Sequence, residues 1–141
     1  MKRNRVGSIM LMSAAALTTI GGFLADWNKT HLFNSKWTSH AKFHDAMTIL
    51  LGSMLGASGL YLLQKRNGDQ QLQLELGALL PAAFWAAQLG SFAFPGAKGI
   101  EAEFPKRVPA LGPVRLNEAP VSLLMLSVIS VGYALQMKEL K

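Results

Sequence analysis

The chain has 141 residues, half of them hydrophobic, with a formal charge of +6 and a mean hydropathy of +0.25. That is one domain's length and too apolar for most soluble domains; its ionisable residues gather in short connectors between uncharged windows, which points to a membrane protein. The absence of cysteine excludes disulfides, thiolate metal sites and cysteine nucleophiles.

Crossing about 30 Å of hydrocarbon takes about 20 helical residues. The first run that qualifies is 6–25, VGSIMLMSAAALTTIGGFLA, which is uncharged. It follows a basic N-terminus, as a signal peptide would. It is longer, however, than the roughly 7–15-residue apolar core of such a peptide, and Phe23 spoils a small-x-small cleavage site, so a retained span is expected.

The connector 26–45 holds all three histidines, two of the three tryptophans and two of the three aspartates. Trp27 and Trp37 read as an interfacial aromatic belt, with Asp26 and Asn28 ending the first helix. Thr38 or Ser39 is a good N-cap, so the next helix is expected to begin before the membrane core. His40 and His44, four apart, share a helical face that Met47, Leu51 and Ser58 continue inward. Such a pair can hold one divalent metal ion, with His31 or a carboxylate of Asp26, Asp45, Glu101 or Glu103 completing the shell. Without metal, a histidine beside a carboxylate at the membrane boundary suits acid–base work. A connector folded inward would bring Asp26, His31, His40, His44 and Asp45 together above a cavity lined by Trp85 and Gln88.

The second span, 46–63, is uncharged and stops at Gln64-Lys65-Arg66-Asn67-Gly68, whose Asn-Gly is a turn signal. Gly52, Gly56 and Gly59 fall within about 60° on its helical wheel, a face for close helix approach. That face is a candidate contact for a second copy or a membrane-protein partner. Asp45 shares its sector and is expected to point at a neighbouring helix.

The third span, 72–94, has Glu75 as its only charge, and Gly77, Pro81, Trp85 and Gln88 fall on one side of it. Pro81 removes one helical hydrogen bond and is a candidate kink. The connector 95–119 follows, and the stretch 99–120 contains four prolines, which exclude a long helix. It is expected to be an ordered loop on the outer face, either a lid over the histidine connector bearing Glu101 and Glu103 or a plain tether. The fourth span, 120–137, opens on a proline in its first turn and carries Ser127 and Ser130 as neighbours. The expected fold is an all-α integral membrane four-helix bundle, one domain in the lipid bilayer, with both termini on one side.

Lysine and arginine divide seven to seven between the two faces, but the cluster Lys2, Arg3, Arg5 beside the first span favours cytoplasmic termini. The basic residues read as membrane-flanking anchors, so no nucleic acid is expected as a partner. Three histidines are too few for a membrane di-iron site, and their placement in one connector and one helix start does not suit bis-histidine haem. Neither a phosphate loop nor a serine elbow is present, and no nucleotide is expected.

The run DWNKTHLFNSKWTSHAKFH resembles the signature D-W-N-x-T-H-[LI]-[FY]-N-x-x-W-x-x-H-A-[KR]-[FW]-H of a family of small, four-span, functionally uncharacterised membrane proteins. The resemblance covers about 19 residues and the four-span layout. It implies a polar site formed by Asp26, Asn28, Thr30, His31, Asn34, Trp37, His40 and His44, and it supplies no reaction. Where such sequences often carry proline after the asparagine, this chain has Ser35, and a looser turn is expected there. In size and span count alone the chain is also similar to the sterol isomerase and sigma-2 receptor group, a likeness that no motif carries.

Two functions of different class follow. One is a small membrane protein whose His/Asp site at the outer face binds or acts on a lipophilic small molecule by acid–base or metal-assisted chemistry. The other is a non-catalytic accessory subunit or assembly factor of a membrane complex.

Overall fold

The computed structural model describes residues 4–140. It is a bundle of four long helices: α1 (Arg5–Asp26), α2 (Ser39–Gln64), α3 (Gln70–Gly90) and α4 (Glu118–Leu140). All four are long and apolar enough to cross a membrane. The helices are neighbours in a ring, α1 against α2 and α4, and α3 against α2 and α4. The first and last described turns, at Asn4 and Gln136, lie at the same end of the bundle. Lys2, Arg3 and Lys141, on which part of the orientation argument rests, lie outside the described residues.

The residue distribution is that of a protein with lipid as its solvent. Leu24, Leu50, Met54, Leu79 and Leu124 are exposed, while Thr18, Gln73, Ser122 and Gln136 are buried. Lipid removes the hydrophobic drive for helix association and leaves close packing and polar contacts to supply it. Small residues make the contacts. A Cβ on Gly56 would meet Thr19 N at 2.5 Å and Ala15 O at 2.7 Å, both backbone atoms of α1. One on Gly59 would meet Pro81 Cδ at 2.7 Å and Gly77 O at 2.9 Å on α3. Proline at 81 has no N–H for the Gly77 carbonyl four residues back, and the bare backbone of Gly59 closes over that carbonyl. The helix runs on through Pro81, from Gln70 to Gly90.

The glycine face of α2 is therefore consumed within the chain. Gly52 abuts Phe84, and Gly56 and Gly59 are buried. This corrects the expectation that Gly52, Gly56 and Gly59 are a face for another molecule: close approach was the right physics, and α1 and α3 are the neighbours that use it. The serines of α4 lie outside its buried stripe. Ser127 and Ser130 are exposed, and the buried stripe is Ser122, Met125, Ile129, Gly132 and Gln136. Ser127 gives its hydroxyl proton to Leu123 O at 2.8 Å, one turn back, which satisfies it inside its own helix.

The turns follow their chemistry. Gly68 takes φ +95° in the tight α2–α3 connection, and Asp69 caps α3 by accepting from Gln71 N and Leu72 N at 3.0 Å. At the same side of the bundle, the Gln136 amide donates to Asn4 O at 2.7 Å and ties the start of α1 to the end of α4. The long connector contains no long helix. It has a 3-10 turn at Ile100–Ala102 and a hairpin of β1 (Ala110–Leu111) and β2 (Val114–Arg115), paired Ala110 to Arg115.

Candidate functional site

The connector after α1 folds on itself through the side chains that drew notice in the sequence. Asp26 O accepts from Asn28 N at 2.8 Å and Leu32 N at 3.1 Å, and Asn28 O accepts from Phe33 N at 2.9 Å. The Asn28 amide donates to Ala25 O, and its Oδ1 accepts from Thr30 N at 2.7 Å and from the Thr30 hydroxyl at 2.5 Å. Asn34 donates to Thr30 O at 3.2 Å and accepts from Lys36 N at 2.9 Å, so the turn containing Ser35 is held without a proline. Thr30 and Asn34 are buried. Asn28, Thr30 and Asn34 thus spend their polar atoms on the connector's own backbone and on placing His31.

His31 is fixed on three sides. Its Nδ1 lies 2.9 Å from Thr30 Oγ1, its Nε2 lies 3.6 Å from Asp26 Oδ1, and its ring meets the edge of Trp37 with centroids 5.6 Å apart. The proton inventory follows from the partners. Thr30 Oγ1 gives its own proton to Asn28 Oδ1, which only accepts, so it takes a proton from His31 Nδ1–H. That leaves Nε2 facing a carboxylate oxygen with room for a proton between them. His31 and Asp26 are each about one-fifth exposed, at 19% and 22%, so water reaches the pair.

Around it gather more carboxylates. Asp26 feels Asp45 and Glu118 as like charges and His31 as an opposing one, and Asp45 also feels His31. Asp45 is half-buried, and its Oδ2 is shut off from solvent with no protein donor among the described residues. An acceptor in that position needs a donor from water or a ligand. Asp45 lies on the inward sector of α2, as the wheel predicts. Glu118, at the first turn of α4, was missed in the sequence. Its carboxylate accepts from Ile100 N at 3.1 and 3.2 Å, and the readable signal was an acid at the outer end of the fourth span, as Asp26 and Asp45 are at the outer ends of the first two. Glu101 is engaged by the Asn117 amide at 2.8 Å, and Glu103 is exposed.

The structure does not bring all the predicted residues together. His40 and His44 are exposed, on the face of α2 that carries the exposed Met47 and Leu51. At 100° per residue that face lies about 120° from the glycine sector, so the two histidines turn away from Asp26, His31 and Asp45. Their Nε2 atoms meet each other at 3.1 Å, and His40 stacks on Phe43 at 6.2 Å. Among the described residues, no group of three or more His, Asp or Glu side chains is placed to hold one metal ion. Trp85 is buried in the core and donates through Nε1 to Thr18 Oγ1 at 2.8 Å, while Gln88 is half-buried. A groove of about 330 Å³ lies elsewhere, between α3 and α4, at the end of the bundle that holds Glu75 and Tyr133.

No curated protein and no solved structure matches the chain. The resemblance to an uncharacterised family holds at the level of the family: the model of a family of unknown function, DUF6640, matches residues 10–141, and the chain belongs to that family.

Proposed function

We propose that this multi-pass membrane protein binds, or acts by acid–base chemistry on, a lipophilic small molecule whose polar end reaches the outer mouth of the bundle. The observation that carries the reading is the Asp26–His31 pair, with Nδ1 of the imidazole committed to Thr30 and Nε2 turned to the carboxylate. Such a pair can pass one proton to or from a bound group while the ring stays in place. Asp45 Oδ2, without a donor among the described residues, is the acceptor that a hydroxyl or amine of the ligand would satisfy. His40 and His44 stand apart from this chemistry, and the proposed residues are Asp26, His31 and Asp45.

The test is native mass spectrometry of the protein released from mild detergent, with solvent extraction of whatever co-purifies, for wild type, His31→Ala and Asp45→Asn. Circular dichroism checks that each variant keeps its helices. The expected result is one lipophilic species near one per chain in the wild type and depleted in both variants. Equal retention in all three would sink the reading and favour the accessory-subunit role.

A further inference from the structure

We propose that His40 and His44 form a second, independent site, a two-imidazole chelate on the water-facing start of α2 that takes one first-row divalent cation, copper(II) most tightly. Three observations carry it. The first is depth: α2 has 26 residues, about 39 Å at 1.5 Å per residue against about 30 Å of hydrocarbon, so its first turns stand clear of the lipid core. Both histidines lie in those turns and are exposed.

The second is geometry. The Nε2 atoms are 3.1 Å apart. An ion at the usual nitrogen distance of about 2.0–2.1 Å from each would see them at about 95–102°, between the square and the tetrahedral angle. The rings stand nearly perpendicular, at 81°, and His40 is stacked on Phe43. Little rearrangement is needed. In the metal-free pair, one Nε2–H donates to the other ring's lone pair. On binding, the donating ring moves that proton to its Nδ1, both Nε2 atoms become ligands, and no net proton is released.

The third is the chemistry of the donors. The helix N-terminus, with Lys36 and Lys42 close in sequence, repels cations in general, and two imidazole nitrogens have little to offer magnesium or calcium, which want oxygen. Only ions that bond strongly to imidazole overcome that setting, and copper(II) leads that order. With two protein ligands the remaining positions stay open to water. The site is separate from the Asp26–His31 pair, so either can fail alone.

The experiment uses untagged, detergent-purified protein titrated with copper(II) and followed by electron paramagnetic resonance, with zinc(II) as competitor. Expected is one saturable site with splitting from two imidazole nitrogens. Loss of an outer-shell partner already costs about 10–100-fold in affinity, so His40→Ala and His44→Ala should each weaken binding at least tenfold, while His31→Ala leaves it unchanged. Both variants sit at exposed positions and should keep wild-type helicity. No saturable binding, binding that survives both substitutions, or binding lost equally in His31→Ala would each overturn the proposal.

Discussion

Thr30 shows how much one side chain decides in this site. Its hydroxyl has one proton and gives it to Asn28 Oδ1 at 2.5 Å, so the 2.9 Å contact to His31 fixes the imidazole as its Nδ1–H form. Removing the hydroxyl frees the ring to carry its proton on either nitrogen. Nitrogen NMR of histidine-labelled protein should show the neutral His31 ring as the Nδ1–H form in the wild type. Thr30→Val should shift it toward the Nε2–H form, and Thr30→Ser should restore the wild-type signal. An unchanged spectrum in Thr30→Val would mean that the Thr30 hydroxyl does not set the ring's tautomer. The same residue marks the limit of sequence reading. Asp26, His31 and Thr30 are legible as a polar cluster because they fall within five positions. That Asn28 and Asn34 serve the backbone is not legible, since an Asx turn and a ligand contact use the same atoms.

The helices themselves were easier to read, because lipid imposes a length and an apolar composition that few other constraints can mimic. Each apolar run lies on one of the four long helices, and α2 begins at Ser39, seven residues before the run 46–63, with Thr38 as its cap, accepting from Ala41 N at 3.2 Å. What periodicity leaves open is the rotation of a helix whose every face is apolar. The glycines of α2 fixed one sector, and His40 and His44 turned out to lie on another. The contrast between two glycines tests that packing. Gly56 faces backbone atoms of α1 closer than 3 Å to an added Cβ, whereas Gly21 has nothing within 4 Å. Gly56→Ala must push α1 and α2 apart and should lower the thermal midpoint in detergent by several degrees or prevent assembly. Gly21→Ala relieves only helix entropy and should be neutral or stabilising by up to about 1 kcal/mol. Equal midpoints for the two variants would contradict the close α1–α2 contact.

At the scale of the whole molecule, everything proposed for the site depends on which compartment it faces. The bundle puts His31, Asp45, Glu118 and the Ala110–Arg115 hairpin at one end, and the 65–69 turn with the start of α1 and the end of α4 at the other. Lysine and arginine counts do not choose between the two orientations, because they tie. The dense basic start of the chain, beside the first span to be made, is the asymmetry that does, and it predicts cytoplasmic termini. A chain without cysteine makes the measurement clean. Single cysteines at Ser35, Ala110 and Asn67, all exposed positions, can be probed in intact cells with a maleimide that does not cross membranes. Ser35→Cys and Ala110→Cys should label at once, and Asn67→Cys only after the membrane is opened. The reverse pattern would turn the Asp26–His31 pair toward the cytoplasm, where free copper and zinc are scarce and a lipophilic substrate would have to present its polar end from the inner leaflet. Labelling of Ser35 and Asn67 from the same side would break the four-span reading itself, since α2 alone separates those two positions.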